Sequence, residues 1–433
     1  MKIAKFILVP LLCIIANTSH SSSLWVKPNA GLNSKEKLDF WTGFGLFRDP
    51  WVKSPASTKG RDGLGPLFNA RACMDCHKNG SGGTAPDLGF GAVLRLSDTA
   101  NKPLVNYGSQ LQTDSTEAFF KKHDLTNIQP EGKIQLTWQE RLFPQITTSQ
   151  PLRTPQLQLK ELAYGSIPNN TRMSLRLAPL LFGSGALNTI KESTLLANAD
   201  PEDKNKDGIS GKVNYVLDVD SNSKAIGRFG WKAEHPNLKQ QIAAAFNADI
   251  GITSTLFPKQ NCTSSQHKCL NAIHGNDNTE GVEISAEKLD LVTTFVASLA
   301  INSSHEKNTI DNPQGSALFT TIQCGGCHLV SIEGEDGKAI HPYTDLLLHD
   351  MGTELSDKRP VADASGNEWR TPPLWGMKRK LKNKRAAFLH DGRARTLEEA
   401  ILWHGGEAEQ SRSQYIALNK ADKEALLKFV GGL

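Results

Sequence analysis

The stretch CGGCH at residues 324–328 follows the apolar lead-in GSALFTTIQ, and an earlier copy, CMDCH at residues 73–77, follows GLGPLFNARA. Cys-x-x-Cys-His is the attachment signal of c-type haem, in which both thiols form thioethers and the histidine ligates iron. One copy alone could be half of a zinc-binding knuckle. Two copies with similar lead-ins indicate two covalent haems, bound by Cys73, Cys76, His77, Cys324, Cys327 and His328.

The N-terminus, MKIAKFILVPLLCIIANTSHSSS, has two lysines, an apolar run from Phe6 to Ala16 and then small polar residues. The run is too short to span a bilayer and is typical of a secretory signal, so we predict a signal peptide at residues 1–21. No later segment reaches transmembrane length. We therefore expect an exported, periplasmic protein without a membrane span.

Two of the seven cysteines lie outside both the predicted signal and the pentapeptides. They are Cys262 and Cys269, seven residues apart in the polar loop NCTSSQHKC. In an oxidising compartment this spacing favours a disulfide, with a redox-active dithiol as the alternative.

The composition is that of an ordinary globular protein, with 38% hydrophobic residues, 22% charged residues and a formal net charge of +4. So small a charge argues neither for nor against nucleic acid, and we expect no nucleic-acid partner. The one dense basic run is KRKLKNKR at 378–385. We interpret it as a solvated loop; the alternative is steering of an acidic electron-donor protein or pairing with haem propionates.

Residues 90–175 contain short alternating segments (AVLRLS, KIQLTWQERLF and QLQLKELAYG) that predict strands and turns without chemistry of their own. Helical patterns follow at 236–250, 286–300, 396–406 and 421–433, and the polar run 303–313 marks the main domain boundary. We predict a mainly α protein with two cytochrome-c-like haem domains. They are an N-terminal haem domain at 24–302 with a β-containing insertion, and a C-terminal haem domain at 309–433.

The two halves contain an internal repeat. The first member is FGWKAEHPNLKQQIAAA at 229–245, which aligns without a gap with FLHDGRARTLEEAILWH at 388–404. Ahead of each member stands a similar pentapeptide, PLLFG at 179–183 and PPLWG at 372–376. Trp231 falls on His390, and Ala245 falls on His404. The halves are therefore two versions of one haem-binding unit, and differences at matched positions are informative.

The repeat predicts different axial ligands for the two irons. His404 is the favoured second ligand opposite His328, and Met351 is the alternative ligand. The structural interpretation of His404 is a surface histidine that precedes two glycines. Ala245 cannot ligate, so we expect the haem on His77 to have one free face unless His123 or His235 fills it. A filled site favours electron transfer, whereas an open one admits a small oxidant.

An open haem needs a distal group to move a proton between peroxide oxygens. Asp249, at the end of the helix that carries Ala245, is the first candidate for this role, with Gln241 orienting the peroxide; Asp249 could equally be a helix-end residue. Trp231 is a candidate bridge for hole transfer or a core aromatic.

The stretch DKNKDGIS at 203–210 has oxygen ligands at alternate positions and a glycine at the turn, as in the first half of a calcium loop. The possible ligands are Asp203, Asn205 and Asp207. Position twelve is Asn214, not a bidentate glutamate, and a solvated Asx turn is the alternative.

With both pentapeptides and FLHDGRARTLEEAILWHGG at 388–406, the chain resembles the bacterial di-haem cytochrome c peroxidases and the related enzyme that matures methylamine dehydrogenase. It is similar above all to the di-haem oxidoreductase family of peroxidases, also labelled thiol oxidoreductases. The resemblance covers nearly all of the predicted mature chain.

In the peroxidases the distal ligand of the C-terminal haem lies fourteen residues after the histidine of F-H-x-G, and His404 has this separation from His390. The peroxidases have methionine there and the maturation enzyme tyrosine, so a histidine implies a lower potential for this haem. The resemblance places the peroxidases' tryptophan on Trp231, their glutamine on or next to Gln241, and their glutamate near Asp249 with a small offset. These relatives bind calcium through a different local sequence.

The resemblance also implies a direction of electron flow. Electrons from a small redox protein would enter at the haem on His328 and His404 and reach the haem on His77, where hydrogen peroxide is reduced to water. Two other functions remain open. One is an electron-transfer cytochrome with two six-coordinate haems, and the other is an oxidase of a protein or organic substrate that acts through Trp231.

Overall fold

The computed structural model describes residues 26–84, 91–120, 128–143, 151–276, 279–301, 305–334 and 337–433, except for the side chain of Phe120. The predicted signal peptide at 1–21 and His123 lie outside these ranges. Of the described residues 33% are helical and 18% are extended. The fold is therefore mixed, with more helix than strand, and is less dominated by helix than the sequence patterns suggested.

The helices of the described residues are α1 (Ser34–Arg48), α2 (Cys73–Cys76), α3 (Thr116–Phe120), α4 (Ser184–Asn188), α5 (Glu192–Asn198), α6 (Leu238–Ala245), α7 (His267–Leu270), α8 (Ala286–Ala297), α9 (His305–Asp311), α10 (Pro313–Thr321), α11 (Met377–Lys380), α12 (Leu397–Leu402), α13 (Glu409–Ala417) and α14 (Lys420–Gly432). The strands are β1 (Leu67–Phe68), β2 (Ala92–Ser97), β3 (Asp114–Ser115), β4 (Lys133–Arg141), β5 (Leu152–Lys160), β6 (Arg172–Leu177), β7 (Tyr215–Asp218), β8 (Ser223–Ile226), β9 (Ile332–Glu333), β10 (Ala339–Ile340), β11 (Leu348–Asp350) and β12 (Glu368–Arg370). None of the helices in these ranges is long and apolar enough to cross a bilayer.

The strands pair as six antiparallel two-stranded ribbons: β1 with β3, β2 with β6, β4 with β5, β7 with β8, β9 with β10, and β11 with β12. The longest ribbon runs from the pair Lys133–Lys160 to the pair Arg141–Leu152. The segments predicted as strands between residues 90 and 175 thus form β2, β4 and β5, because alternating apolar residues suit a ribbon with one buried face. They supply much of the β content.

Two helix pairs cross at a glycine. A Cβ added at Gly43 of α1 would lie 2.0 Å from the carbonyl oxygen of Leu291 on α8. A Cβ added at Gly315 of α10 would lie 2.2 Å from the carbonyl oxygen of Ala425 on α14. Each crossing therefore brings a helix backbone close to its partner, which a side chain would prevent. Close helix contacts at glycine therefore occur in both halves, and Gly185 of α4 makes another, against Ala297 of α8.

The internal repeat is visible in the backbone. Gly183 and Gly376 both have a left-handed conformation, with φ of 77° and 76°, at the start of a short helix. Asn237 and Thr396 cap α6 and α12 in the same way, each accepting a hydrogen bond from the backbone N–H three residues later. The sequence alignment of the two halves therefore corresponds to matched local structure.

The two halves have separate cores. One buried cluster surrounds α1, α6 and α8, and a second surrounds α10, α12 and α14. The polar run at 303–313, predicted as the boundary, contains the helix α9 in its described part. Asn308 of α9 donates a hydrogen bond to the Phe429 carbonyl at 2.9 Å. This run therefore belongs with the second core, and the predicted domain limits remain predictions.

Gly43→Ala and Gly315→Ala should each lower the free energy of unfolding by about 1–3 kcal/mol, because an added methyl group would push two packed helices apart. Gly45→Ala is the matched control: it lies on the same helix as Gly43 with no atom within 4 Å of the added Cβ, and alanine favours the helix. Urea unfolding followed by circular dichroism measures all three. A loss for Gly45→Ala as large as for Gly43→Ala would contradict the close crossing.

Candidate functional site

Both pentapeptides form tight turns with free thiols. Cys73–Cys76 is the short helix α2, and residues 324–326 form a 3-10 turn that leads into Cys327. None of the four thiols is in a disulfide. Burial raises the pKa of the Cys76 and Cys324 thiols to about 12. Each turn therefore presents two cysteine sulfurs that no disulfide joins.

The histidine of each pentapeptide is oriented by a backbone carbonyl. His77 Nδ1 lies 3.0 Å from the Pro179 oxygen, and His328 Nδ1 lies 2.9 Å from the Tyr343 oxygen. Because a carbonyl oxygen only accepts, Nδ1 carries the proton and Nε2 keeps its lone pair. Burial lowers the pKa of both imidazoles to about 4. Both are neutral rings, as iron ligation requires.

The two turns open into one cavity of about 410 Å³. All six attachment residues line it, together with mostly apolar walls such as Phe47, Leu181 and Val292 near the first turn and Phe319, Phe388 and Leu426 near the second. Paired thiols, a free imidazole Nε2 and apolar walls fit a covalently attached macrocycle at each turn. The structure thus brings together the residues predicted to hold two haems.

Both candidates for the second ligand of the iron at His328 reach the cavity. His404 Nδ1 lies 2.7 Å from the Ala400 oxygen and so donates to it, which leaves Nε2 free. Burial lowers the pKa of His404, and His404 in turn lowers the pKa of His328, so the two rings are neighbours. Met351 also lines this cavity. His404 as the second ligand therefore remains a prediction, and the orientation of its ring favours this prediction.

A different set of side chains stands in the first half. Ala245 lines the cavity at the position matched to His404, and Asp249 follows in a π-helical turn at Phe246–Ile250. Asp249 Oδ1 accepts a hydrogen bond from Gln110 Nε2 at 2.8 Å. Burial raises the pKa of the Asp249 carboxyl, against the opposing effects of Gln110 and the nearby Arg95. Its proton affinity is therefore increased, as an acid–base group requires.

Gln241 and His235 also face this part of the cavity. Gln241 Oε1 is buried without a hydrogen-bond partner, which leaves a polar group available to a small ligand. His235 Nδ1 lies 3.3 Å from Gln240 Nε2, and burial lowers its pKa to about 4. Of the two alternative ligands for the iron at His77, His235 lies within the described residues and lines the cavity.

Trp231 and His390, the matched residues of the repeat, both line the cavity and both bond to the backbone of Leu177. Trp231 lines the cavity and donates its indole N–H to the Leu177 oxygen at 2.6 Å. His390 stacks on Trp369, with ring centroids 3.7 Å apart and planes 11° apart. Trp231 therefore lies at the contact between the halves, and its role as a bridge for hole transfer remains a prediction.

The β-containing insertion contributes to the cavity, contrary to the expectation that it lacks chemistry. Arg95 of β2, Gln110 and Arg176 of β6 all line the cavity. Leu94 and Leu96 are fully buried in a core cluster, so Arg95 points away from that core by strand alternation. The arginine within the apolar stretch AVLRLS was the signal available in the sequence. The sequence alone does not show which residues the face of β2 that carries Arg95 contacts.

The basic run at 378–385 is divided between solvent and cavity. Lys378, Lys382, Lys384 and Arg385 are exposed, as a solvated loop predicts. Lys380 instead is 8% exposed and lines the cavity, with Nζ 5.0 Å from the Phe388 ring centroid. Burial lowers its pKa to about 8. This lysine departs from the solvated-loop interpretation.

The calcium-like loop is closed by its own hydrogen bonds. Asp203 accepts from Gly208 N–H, and the side chains of Asn205 and Asp207 accept from the N–H groups two residues later. Asn214, the twelfth position, is buried and donates to the Lys232 oxygen at 2.7 Å. No group of three or more His, Cys, Asp or Glu side chains in the described ranges forms a metal-binding cluster. Calcium remains a prediction.

Cys262 and Cys269 form a disulfide with Cα atoms 5.8 Å apart. Cys269 is fully buried against Leu67 and Ile128. Asn261, next to this bridge, contacts both the Leu67 and the Asn247 oxygens. The bridged loop therefore packs between the first lead-in and the turn that carries Asp249.

A buried carboxyl supports that turn from the insertion side. Glu131 accepts from Gln112 N–H at 2.7 Å and from Gln266 Nε2 at 2.6 Å, and Gln112 Nε2 donates to the Ala248 oxygen. Burial raises the pKa of Glu131 to about 8, against the lowering effect of these hydrogen bonds. In the folded protein the group therefore stays protonated well above its usual range.

The Glu131 carboxyl makes stability depend on pH. Its folded pKa of about 8 exceeds the ordinary value of 4.5, so the contribution of Glu131 to stability is fully present below about pH 4.5 and is lost as the pH rises towards 8. Glu131→Gln cannot ionise and should gain stability over the wild type between pH 5 and 8, on a scale of about 1.4 kcal/mol per pKa unit. Urea midpoints at both pH values measure this gain.

Glu161→Gln is the control, because Glu161 belongs to the same insertion and its side chain is 66% exposed. Its difference from the wild type should not change with pH. If the difference between Glu131→Gln and the wild type were also constant from pH 5 to 8, the buried carboxyl would not be the source.

Comparison with known protein families gives one match. A family model described as "Di-haem oxidoreductase, putative peroxidase" matches residues 159–433. The matched part contains the second pentapeptide, both members of the internal repeat and most of the cavity-lining residues; the first pentapeptide precedes it. No curated protein and no solved structure matches the chain significantly.

Proposed function

The chain belongs to the di-haem oxidoreductase family, and we propose that it is an exported peroxidase with two covalent c-type haems. In this proposal hydrogen peroxide is reduced at the haem held by His77. A small redox protein donates the electrons, which pass through the haem held by His328 and His404.

The difference between two matched helices carries the proposal. α12 leads into His404, which faces the cavity with a free Nε2. α6 places Ala245 at the equivalent point and continues into the turn with Asp249. One half therefore offers a ligand where the other offers space beside an acid–base group. This arrangement suits electron relay at the site with the ligand and substrate reduction at the site with the open space.

The residues of each turn would hold one haem through two thioethers and one imidazole. Bound there, a haem supplies an iron that exchanges electrons and, where its sixth position is free, accepts an oxygen ligand. The apolar walls exclude water from the site, which strengthens every electrostatic interaction within it.

Asp249 provides the proton transfer that the reaction needs. Reduction of one hydrogen peroxide to two waters consumes two electrons and two protons. Asp249 can take a proton from the near peroxide oxygen and return it to the departing one, because its raised proton affinity suits both steps. Gln110 holds the carboxyl at 2.8 Å, and the unpaired Gln241 oxygen can accept a hydrogen bond from the substrate.

Trp231 is the favoured indole for charge transfer between the two sites. Trp369, the other indole at this contact, has Lys232 Nζ 4.2 Å and Arg176 Cζ 4.6 Å from its ring centroid. Cations over an aromatic face stabilise its electron density and oppose loss of an electron. Trp369 is therefore a poor site for a transient hole, which leaves the relay to Trp231.

Ala245→His tests the proposal by introducing the ligand that the repeat predicts to be missing. The new imidazole should fill the free face, so we expect loss of cyanide binding to the ferric protein and at least a hundredfold lower peroxide turnover, with two haems still attached. Ala244→His is the matched control, because Ala244 lies on the same helix outside the cavity lining. Optical cyanide titration and peroxide consumption are the measurements.

Two outcomes would contradict the proposal. Unchanged cyanide binding in Ala245→His would mean that this position does not face the free site. A wild-type protein that binds no cyanide and does not turn over peroxide, oxidised or half-reduced, would instead indicate an electron carrier with two six-coordinate haems.

A further inference from the structure

A buried cluster of charges borders the cavity beside Asp249. Its cations are Arg95, Arg176, Lys232 and Arg359, and its carboxylates are Glu234 and Asp357. Asp357 lies 2.8 Å from Arg176 and 3.3 Å from Lys232, and Glu234 lies 3.7 Å from Arg95 and 3.9 Å from Arg176. The Arg176, Lys232 and Asp357 side chains are at most 6% exposed.

The cluster has more positive than negative charge. Four cations face two carboxylates, and burial raises the pKa of the Asp249 carboxyl beside them. Burial lowers the pKa of Lys232 to about 8 and that of Arg359 to about 10, with neighbouring arginines adding to the effect. Glu234 has its pKa lowered to about 2 by Arg95 and Arg176 despite burial. Burial is thus the main cause of the lowered pKa values of the two cations, whereas the neighbouring arginines lower that of Glu234.

Several donors of the cluster have no acceptor. Arg176 Nη1, Arg359 Nε and Arg359 Nη1 are buried without a hydrogen-bond partner. Guanidinium groups bind carboxylates through paired N–H donors, and leaving such donors buried and unpaired is costly. The cluster therefore lacks both negative charge and hydrogen-bond acceptors, and a carboxylate ligand supplies both.

We propose that this cluster binds the two propionate carboxylates of the haem attached at Cys73 and Cys76. The inference rests on the proposed haem at His77. A haem carries two carboxylates on the ring edge opposite its vinyl groups, and their two negative charges equal the excess of cations over Glu234 and Asp357. Arg95, Arg176 and Glu234 line the same cavity as His77, so the carboxylates can reach them without leaving it.

The proposal gives the insertion a function. Arg95 and Arg176 belong to the paired strands β2 and β6, whereas Arg359 comes from the second half of the chain. One haem would therefore be held by its thioethers at α2 and by Arg95 and Arg176 of the insertion, which line the cavity, with Arg359 behind them.

Arg95→Gln tests the assignment in the haem-loaded protein, because Arg95 lines the cavity, and Arg359→Gln is a second variant; both residues are partly exposed, so both variants should fold. Removing one cation leaves a propionate charge uncompensated, which favours the ferric haem. We expect the haem-1 reduction equilibrium to shift about tenfold towards the oxidised form, about 59 mV for a one-electron couple. Spectroelectrochemical titration with both haems resolved is the measurement. Lys380→Gln is the control, since it removes a cavity cation beside Phe388 and should leave haem 1 unchanged.

The possible failures are distinguishable. A wild-type protein without a haem at Cys73 and Cys76, by mass and haem content, would overturn the proposed function. An attached haem whose potential is the same in wild type, Arg359→Gln and Arg95→Gln would overturn the propionate site alone. Sodium acetate should not shift the wild-type potential relative to sodium chloride at equal ionic strength. A shift with acetate would mean that the cluster takes free carboxylates instead.

Discussion

Two reciprocal backbone hydrogen bonds hold the halves of this protein together at the cavity. Leu177 N–H donates to the His390 oxygen at 2.6 Å, and Arg370 N–H donates to the Trp231 oxygen at 2.9 Å. Trp231 and His390 are matched residues of the repeat, so the contact is close to symmetric. These bonds join the halves beside the one cavity that both attachment turns line.

The chemistry arises where this symmetry is broken. α12 ends at Leu402 and leads into His404, whereas α6 continues through a π-helical turn that carries Asp249. Turns of this kind insert an extra residue into a helix and recur at functional sites. The extra residue changes the register of the helix end, which fits the small offset between Asp249 and the glutamate of the similar peroxidases. A repeated scaffold thus presents different side chains at its two sites.

Local patterns were enough to predict much of the molecule. The pentapeptides, the helices α8, α12 and α14 and the strands β2 and β4 each follow from spacing within one segment, and the repeat revealed Ala245 as the counterpart of His404. Contacts between distant segments could not be predicted. The polar run at 303–313 contains the helix α9, which is tied to the second core by the hydrogen bond from Asn308 to the Phe429 oxygen. Arg95 and Lys380 face the cavity because of packing partners far away in the chain.

Low-temperature electron paramagnetic resonance of the as-isolated ferric protein, compared with His404→Ala, tests the central claim most directly. The account predicts one high-spin signal from the haem on His77 and one low-spin signal from the haem on His328, the latter lost in His404→Ala. A low-spin signal that persists unchanged in the variant would remove His404 as a ligand. Two low-spin signals in the wild type, with the haem on His77 still low-spin after the haem on His328 has been reduced, would contradict an open haem in the first half.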